Sequence, residues 1–401
     1  MKKSLKIGDF TFIVRLLGKL EDMTIEAVNL KQGISKPMIC VQCVMDTTDS
    51  QITFNEKGVC SHCQSYEAMV PAWNLSSHLE QKSLEKLFDQ IKKSGVGKEY
   101  DCLIGLSGGV DSSYLAYLVY KAGLRPLCIH LDNGWNSELA VRNIHNIVKK
   151  CNFDLHTHVL DWEEFRDLQV AFFKSNVIDL EMLSDHAIFG ITVQLAKKYK
   201  IKNVLSGANI STEFVMPKSW VHRKQDLKNI LSIHQKLGKV PLKTFPQVST
   251  LNHVMMTEVW GYQTHKPLNL IDYNKQQAKQ TVIDEFGWRD YGGKHYESQF
   301  TKYYQAHILP KKFNVDKRKA HLSTLILSQQ MTRAEALAEL EKPLYLEADL
   351  KSDTEYVCKK LGFSLEWMEA YLKTPGVSHL SYGSDQWLYD LLLKAKKLLK
   401  K

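Results

Sequence analysis

A glycine- and serine-rich turn over residues 107–113 carries the clearest chemistry in this sequence. It reads Ser-Gly-Gly-Val-Asp-Ser-Ser, follows the apolar run 102–106 and precedes a helical pattern over 113–122. This order predicts a strand, a tight turn and a helix. Such a turn points backbone N–H groups, hydroxyl groups and the positive end of a helix at one spot. Because a polyphosphate is the natural ligand of that spot, the turn predicts an enzyme that uses ATP.

Two common phosphate-binding motifs do not describe this turn. It lacks the Gly-Lys-Ser/Thr ending of a Walker loop, and it lacks the G-x-G-x-x-G pattern of a dinucleotide site. Asp111 would repel phosphates unless a cation lies between them, so Mg²⁺ held by Asp111 and phosphate oxygens is the simplest arrangement. The alternative is an ordinary strand-to-helix turn that uses glycine and serine only for geometry and capping.

A second constellation consists of four cysteines ahead of the turn. Cys40, Cys43, Cys60 and Cys63 form a C-x₂-C-x₁₆-C-x₂-C pattern, which has the spacing of a structural zinc site. Four thiolates complete a tetrahedron and leave no position for water, so the predicted role is structural. His62 is a possible competing ligand but is expected to point outward. An iron–sulfur cluster and coincidence are the alternatives.

Length and composition indicate the class of protein that carries these motifs. A chain of 401 residues with 44% hydrophobic residues suggests two or three globular domains. No apolar run approaches the roughly 18 residues of a membrane span, and no secretion signal is visible. Eight cysteines without a signal indicate a reducing compartment, so we expect a cytoplasmic protein. The net charge of +9 is concentrated over 311–319 and 394–401, and nucleic-acid binding is not the favoured interpretation.

Hydrophobic patterns after the cysteines alternate between strands and helices. Strands are predicted at 103–106, 126–131, 155–160 and 203–205, and helices at 113–122, 138–151, 162–175 and 186–199. This order predicts an α/β fold with a doubly wound parallel sheet. The alternation stops from Phe214 to about Pro310. A capping box at Thr332 and Glu335 then opens a helical C-terminal region.

The predicted organisation follows from these boundaries. It comprises an N-terminal extension (1–38), a zinc knuckle (39–75), an ATP-binding domain (76–215), a substrate-binding region (216–330) and a C-terminal helical region (331–401).

Ligands of doubly wound sheets bind beyond the carboxyl ends of the strands. Three such ends carry polar or glycine residues, namely 107–113, 131–135 and 206–213. The predicted ATP-binding residues are Ser107, Gly108, Gly109, Asp111, Ser112, Asp132, Gly207 and Asn209. Glu213 lies at the same end, and Asp185 and His186 begin a helix that could reach it, so these three are candidates for substrate binding. Each residue alone could instead be a turn former or a helix cap.

Several sequence blocks in this order resemble a known family. They are the Ile-Cys-Val-Gln-Cys-Val-Met-Asp-Thr-Thr block at 39–48, the Gly-Gly-Lys-His-Tyr-Glu-Ser block from 292, the Asp-Lys-Arg-Lys-Ala-His block at 316–321 and Thr332-Arg333. The turn at 107–113 resembles the PP-loop of the ATP-pyrophosphatase superfamily. With the other blocks, it resembles the N-acetyl sugar amidotransferases of bacterial surface-polysaccharide and flagellin-glycan pathways. These include enzymes that act on pseudaminic acid and on lipopolysaccharide O-antigen sugars. The resemblance covers roughly residues 39–375.

The resemblance implies that ATP activates an N-acetyl group as an O-adenylyl imidate, which ammonia converts to an acetamidino group. Ser107, Gly109, Asp111 and Ser112 would then hold the departing pyrophosphate. Charge on the phosphates calls for Mg²⁺ and basic residues. The candidate catalytic residues are Asp111, Lys294, His295, Lys317, Arg318 and His321, and Glu297 is a further candidate for orienting the substrate or moving a proton.

The implied partners follow from what the sequence lacks. It shows no Cys–His–Glu arrangement of a glutaminase, and Cys102, Cys128, Cys151 and Cys358 resemble small core residues. The resemblance therefore implies a separate glutaminase subunit and an ammonia-channelling subunit similar to imidazole-glycerol-phosphate synthase. The main alternative is a PP-loop tRNA thiolation enzyme, and a second is a regulatory nucleotide-binding module without turnover.

Overall fold

The computed structural model describes residues 38–69, 77–291 and 297–399. The predicted extension over 1–38 lies outside these ranges except for Met38. The predicted catalytic residues Lys294 and His295 also lie outside the described residues.

A five-stranded parallel sheet forms the centre of the fold. Its order is β3-β2-β1-β4-β5, and every neighbouring pair is parallel. The strands are β1 (Cys102–Gly105), β2 (Pro126–Asp132), β3 (Asp154–Val159), β4 (Asn203–Leu205) and β5 (Gln263–His265). The strand order reverses between β1 and β4, so the predicted doubly wound α/β sheet is confirmed. The fifth strand was not predicted.

Helices cover both faces of this sheet. Those up to the end of β4 are α1 (Ser61–Met69), α2 (Ser77–Gly95), α3 (Val110–Lys121), α4 (Glu138–Cys151), α5 (Trp162–Ser175) and α6 (Met182–Lys198). Ile104 of β1 packs in one apolar cluster with residues of α2, α3 and α4, and the adjacent Leu103 packs in another cluster with residues of α6. Because successive side chains of a strand point to opposite faces, this division buries β1 from both sides.

Local capping explains why two predicted helices have the predicted bounds. The Ser137 hydroxyl accepts from the Ala140 N–H and starts α4, while Asn152 ends it with a left-handed φ of 53°. Asp161 caps the start of α5 in the same way, and Asn176 ends that helix with a φ of 58°. Both helices begin and end as the sequence predicts.

Short helices and the edge strand follow β4. The first helix, α7 (Ile210–Glu213), ends just before the segment without alternation. That segment contains α8 (Leu227–Leu237), α9 (Thr250–Val254), which continues as a π-helical turn to Val259, and α10 (Lys275–Phe286) after β5. β5 reads Gln-Thr-His and has no apolar pattern, so only its pairing with β4 identifies it as a strand.

Three helices precede the predicted C-terminal region, namely α11 (Gln299–Tyr303), α12 (Leu309–Phe313) and α13 (Lys317–Leu327). The region from 331 is helical, as predicted, and contains α14 (Arg333–Glu341), α15 (Glu347–Leu361), α16 (Leu365–Lys373) and α17 (Gln386–Leu399). The Thr332 hydroxyl and the Glu335 carboxylate form the predicted capping box at the start of α14. The largest apolar cluster joins α5, α11, α15 and α16 with the four clustered cysteines, so the C-terminal helices pack against the rest of the molecule.

Candidate functional site

The turn between β1 and α3 has the backbone of a tight anion-binding loop. Gly108 adopts a φ of +85°, and a Cβ atom there would lie 2.8 Å from the Ala140 carbonyl oxygen. Glycine therefore meets both the left-handed conformation and the close approach of α4 at this position. The residues predicted from the sequence form the expected strand–turn–helix unit.

Hydroxyl groups converge at the open side of this loop. The Ser107 and Ser112 hydroxyl oxygens lie 3.2 Å apart, and the Ser112 hydroxyl donates to the Gly109 carbonyl at 3.1 Å. Ser107 is exposed and also accepts from the Gly109 N–H at 3.2 Å. The loop thus presents polar hydrogens to solvent at the carboxyl end of β1.

The N-terminus of α3 opens directly from the loop. Its N-cap is Gly109, and within the described chain no side chain caps it. Its first N–H groups lack partners inside the helix, and the helix dipole makes this end positive. Uncapped N–H groups beside two serine hydroxyls suit a phosphate group.

Asp111 is held in one orientation beside the loop. The Tyr273 hydroxyl donates to its Oδ1 atom, and the Thr212 hydroxyl lies 3.2 Å from its Oδ2 atom. Tyr273 is buried, and burial together with the Asp111 charge raises the pKa of its phenol well above the usual value. The phenol therefore stays protonated and acts as a hydrogen-bond donor.

The Asp111 carboxylate, fixed by two hydroxyl donors, offers hard oxygen ligands. Mg²⁺ binds such oxygens and usually adds phosphate oxygens and water. Asp111 thus fits a divalent cation, whose charge would offset the repulsion between this carboxylate and a phosphate group.

Two aromatic residues fix the loop from the side of α10. The Trp288 indole N–H donates to the Gly108 carbonyl at 2.8 Å, and the Tyr291 hydroxyl lies 3.3 Å from the same oxygen. Burial is the main cause of the raised pKa of Tyr291, followed by the nearby carboxylate of Glu297. The backbone carbonyl of the predicted substrate-binding residue Glu297 accepts from the Ser137 N–H at 2.8 Å, at the start of α4.

The carboxyl end of β4 packs directly on the loop. A Cβ atom at Gly207 would lie 3.1 Å from the Asp111 carbonyl and from the Ser112 nitrogen, so only glycine permits this approach. The Asn209 side chain is buried and caps α7 by accepting from the Thr212 N–H at 2.9 Å. Asn209 thus positions Thr212. The sequence predicts Asn209 only as a ligand of ATP and does not indicate this capping role.

His321 lies within this network as well. Its Nδ1 atom donates to the Thr212 carbonyl at 3.1 Å, and its Nε2 atom lies 3.5 Å from the Lys275 ammonium nitrogen. Helix α13 therefore brings an imidazole, and α10 an ammonium group, next to Thr212, whose hydroxyl contacts Asp111.

The end of β2 carries the predicted residue Asp132. Its carboxylate accepts from the Gly134 N–H at 2.9 Å and so forms the turn after the strand. The next residue, Asn133, donates to the Ser184 hydroxyl at 2.9 Å, which ties this strand end to the start of α6.

The side chains of Arg318 and His186 are bound to groups outside the 107–113 loop. The Arg318 guanidinium binds Asp316 at 2.8 Å and the carbonyl oxygens of Glu339, Leu340 and Lys342, so its donors stabilise the end of α14. His186 is fully buried. It donates to the Lys224 carbonyl at 2.7 Å and accepts from the Val248 N–H at 3.3 Å, which makes it a core histidine.

Lys317 and Asp185 belong to a cluster of charges around the start of α6. The Lys317 ammonium lies 3.1 Å from Glu181, and Lys224 bridges Asp179 at 2.7 Å and Asp185 at 3.1 Å. Asp185 is exposed, whereas Asp179 is buried. No hydrogen bond or ion pair in the described residues links this cluster to the 107–113 loop.

The four cysteines of the knuckle form a compact, buried cluster. The sulfur atoms of Cys40 and Cys63 lie 3.8 Å apart, those of Cys43 and Cys60 lie 3.7 Å apart, and those of Cys60 and Cys63 lie 3.6 Å apart. Zinc–sulfur bonds of about 2.3 Å in a tetrahedron place neighbouring sulfurs about 3.8 Å apart. The four thiols therefore fit Zn²⁺, as the spacing predicts.

His62 points away from this cluster, as expected. Its Nε2 atom lies 2.9 Å from the Asp49 carboxylate, which also accepts from the Ser219 hydroxyl at 2.7 Å. Hydrogen bonds from both groups hold the pKa of Asp49 below its usual value, although burial opposes the shift. The four sulfur atoms can therefore complete a tetrahedral zinc site without the His62 imidazole as a ligand.

A cavity of about 440 Å³ opens beside α7, at the carboxyl ends of β4 and β5. It is lined by Met69, Ala208, Asn209, Ile210, Glu213, Phe214, Lys266 and Asn269. The predicted substrate-binding residue Glu213 is among them, and its charge contributes to the raised pKa of Tyr273. Asn209 also lines the cavity, and its side-chain oxygen lies 3.1 Å from the Thr212 hydroxyl that contacts Asp111, so the cavity adjoins this network.

Sequence reasoning missed Tyr273 and Lys275 as partners of this site. Thr212, in contrast, belongs to the 206–213 strand end that the sequence indicates as part of the ligand site. Tyr273 and Lys275 lie in the segment where the alternation of strands and helices stops. The available signal was the Asn274 cap of α10, whose side chain accepts from the Gln276 and Gln277 N–H groups.

We also examined whether any helix in the described part of the chain could cross a membrane. None of its helices combines the length and apolar character that a membrane crossing requires.

Comparison with known proteins gives relatives of low similarity. An uncharacterized protein of Methanocaldococcus jannaschii is 32% identical over 120 residues, which are 29% of this chain, and the chain spans only 41% of that relative's length. The solved NMN synthetase from Francisella tularensis has 17% identity and a TM-score of 0.26, covering 52% of this chain and 93% of its own. The NH3-dependent NAD synthetase from Campylobacter jejuni has 13% identity and a TM-score of 0.29, covering 67% and 99%.

A family model covers the C-terminal quarter of the chain. Residues 297–396 match the model described as LPS biosynthesis protein WbpG-like, C-terminal domain. This segment contains α13 with His321 and the helices α14 to α16. Residues 297–396 of this chain are therefore similar to the WbpG-like C-terminal domains of lipopolysaccharide biosynthesis proteins, which confirms the predicted resemblance for this part of the sequence.

Proposed function

We propose that this protein is an ATP-dependent amidotransferase that converts the N-acetyl group of a bacterial surface sugar to an acetamidino group. The observation that carries the proposal is the 107–113 loop, in which an uncapped helix N-terminus, two serine hydroxyls and a fixed carboxylate meet. The match of residues 297–396 to a lipopolysaccharide biosynthesis domain supports a sugar as the acceptor. We infer that the enzyme acts in the cytoplasm, where ATP is available.

The chemistry explains why ATP is needed. An amide carbon is a poor electrophile because its nitrogen donates electron density to it. In the proposed first step the amide oxygen attacks the α-phosphorus, the bond from this phosphorus to the bridging oxygen breaks, and pyrophosphate leaves. Ammonia then adds to the carbon of the O-adenylyl imidate, loses a proton, and expels AMP. The products are the acetamidino sugar, AMP and pyrophosphate.

The loop would bind the departing pyrophosphate. Ser107, Ser112 and the first N–H groups of α3 supply donors that strengthen as charge develops on the leaving group. Asp111 would hold Mg²⁺, which supplies positive charge at the phosphates when it is bound. Asp111 is thus proposed as a cation ligand and not as a base.

Positive side chains are proposed to act opposite the loop. Lys275 lies beside His321 and can offset charge on the phosphates, and Lys294 is the corresponding candidate from the 292–304 block. His321, His295 and Glu297 remain candidates for orienting the sugar or accepting the proton that ammonia releases.

We place the acceptor in the cavity beside α7. It combines apolar walls at Met69, Ile210 and Phe214 with polar groups at Glu213, Lys266 and Asn269. Such a lining suits a molecule that presents a methyl group next to hydroxyl groups. The nitrogen source is proposed to be ammonia from a separate glutaminase subunit, delivered through an ammonia-channelling partner.

The thiolation alternative is disfavoured by the remaining cysteines. Cys102, Cys128, Cys151 and Cys358 are all buried. Burial raises the pKa of Cys151 to about 12 and that of Cys358 to about 11, so neither thiol is a ready nucleophile near neutral pH.

The experiment that tests the proposal is a screen of N-acetylated sugars with ATP, Mg²⁺ and ammonium. The expected product is lighter than the acceptor by about one mass unit, because oxygen is replaced by NH, and AMP forms in equal amount. The Asp111→Asn variant is expected to release no AMP, whereas Asp89→Asn, an exposed change on α2, is expected to retain full activity. ATP-dependent modification of tRNA without a sugar product would contradict the proposal, and unchanged AMP release by Asp111→Asn would remove this residue from the mechanism.

A further inference from the structure

We propose that Tyr273 is a positioning residue that orients the Asp111 carboxylate for the cation carried by ATP. This inference rests on the proposed function, because it takes Asp111 as the ligand of that cation. Tyr273 lies 162 residues from Asp111 in the sequence and only 3% of its surface is exposed.

The two hydroxyl groups that contact Asp111 are not equivalent. The Tyr273 phenol donates to Oδ1. The Thr212 hydroxyl lies 3.2 Å from Oδ2 and 3.1 Å from the Asn209 side-chain oxygen, and it has one proton to share between these two acceptors. Tyr273 is therefore the stronger constraint on the carboxylate.

Tyr273 is itself held firmly in place. Its ring packs against Tyr114 of α3, with ring centroids 5.8 Å apart, and it belongs to an apolar cluster with Leu268 and Ala278. The Gln330 side chain donates to the Tyr273 carbonyl at 3.1 Å and accepts from the Lys275 N–H at 2.9 Å. The phenol thus approaches Asp111 from a rigid support.

Orientation matters because of the geometry that Mg²⁺ requires. This ion needs near-octahedral coordination and binds proteins through one or two carboxylates together with substrate phosphates. A carboxylate that can rotate loses rotational entropy when it binds the ion, whereas one held by a phenol has already lost it. Tyr273 would therefore increase the affinity of the loop for Mg²⁺-bound nucleotide without contacting nucleotide.

The test measures binding in the absence of turnover. The α,β-methylene analogue of ATP is titrated calorimetrically into the full-length protein, once with Mg²⁺ and once with EDTA. For Tyr273→Phe we expect the Mg²⁺-dependent gain in affinity to fall about tenfold, while the affinity in EDTA stays unchanged. A residue with only a structural role would lower both affinities together.

Two further variants complete the test. Tyr114→Phe removes a neighbouring phenol oxygen that no described hydrogen bond joins to Asp111, and it should retain the wild-type gain. Thr212→Val should reduce the gain less than Tyr273→Phe. If Tyr273→Phe fails to fold, Tyr273→Leu, which also removes the phenol, provides the test. An unchanged gain in either folded Tyr273 variant overturns the inference. A wild-type protein that binds no analogue in Mg²⁺ overturns the proposed function instead.

Discussion

The Arg333 guanidinium donates to the backbone carbonyl of Cys43 at 3.0 Å, across 290 residues of sequence. A second bond of 3.0 Å joins the same side chain to the Cys40 carbonyl. The Val44 N–H also donates to the Ser323 hydroxyl of α13 at 3.2 Å. The knuckle thus packs on the two helices that follow residue 316, and α13 in turn holds α7 through His321 and Thr212. The cysteine knuckle is therefore connected to Asp111 through α13 and Thr212.

Removal of the Arg333 side chain is expected to destabilise the protein. Arg333→Ala leaves two partly buried carbonyl groups without a charged donor, which should lower the free energy of unfolding by about 2 kcal/mol. Urea unfolding at a fixed zinc concentration measures the change. Arg142→Ala, which removes an exposed arginine of α4, should change the stability by less than about 0.5 kcal/mol. Equal stability of the two variants would show that Arg333 does not secure the knuckle.

The metal content of the knuckle is a second prediction. Purified protein should carry close to one zinc per chain, because four buried sulfur atoms match the edges of a zinc–thiolate tetrahedron. Cys60→Ser should lose this zinc, whereas Cys358→Ala, which changes a distant buried thiol, should retain it. Elemental analysis of the three proteins decides the matter. Iron in place of zinc would identify the cluster that the sequence left as an alternative.

The local features of this molecule could be predicted from the sequence because their causes are local. The 107–113 loop needs glycine at a left-handed position, and the cysteine pairs need only tight turns. Helix α4 has its predicted bounds because Ser137 and Asn152 cap it from adjacent positions. These signals operate within a few residues, so pattern reasoning detects them.

Features that arise from distant contacts could not be predicted in this way. β5 has no apolar alternation and is a strand only because it pairs with β4. Arg318 has the residue type of a phosphate ligand, yet the end of α14 occupies its donors. Tyr273 contacts Asp111 across 162 residues of sequence. In each case tertiary packing decides the role, and no short segment carries that information.

Substitution of Gly108 should disrupt the loop. Gly108→Ala combines a φ of +85° with a Cβ placed 2.8 Å from the Ala140 carbonyl oxygen, so it should cost about 2 kcal/mol or more of stability and abolish ATP binding. Gly105→Ala is the matched control for folding, because a Cβ there meets no atom within 4 Å and its φ is not left-handed. Thermal unfolding and ATP titration measure both effects. Normal ATP affinity in a stable Gly108→Ala protein would exclude this loop as the phosphate site.

His379 should make the protein less stable as the pH falls below about 6.5. Its Nδ1 atom lies 2.8 Å from the Asn229 side-chain oxygen, and its Nε2 atom accepts from the Asp179 N–H at 3.2 Å. The imidazole is 5% exposed, and burial, followed by repulsion from His222, lowers its pKa to about 3. The folded protein therefore keeps this ring neutral, because a proton on Nε2 would face another donor.

The sign of the effect follows from the two pKa values. The unfolded chain binds a proton at about pH 6.5 and the folded chain only near pH 3, so stability is fully present above pH 6.5 and is lost as the pH falls toward 3. Between about pH 7.5 and pH 5.5 the loss due to this histidine should be about 1.4 kcal/mol. Urea unfolding of His379→Gln at both pH values should show a pH dependence weaker by this amount. His145→Gln, an exposed change on α4, should retain the wild-type pH dependence of stability. An identical pH dependence in all three proteins would mean that His379 is protonated as easily in the folded chain as in the unfolded one.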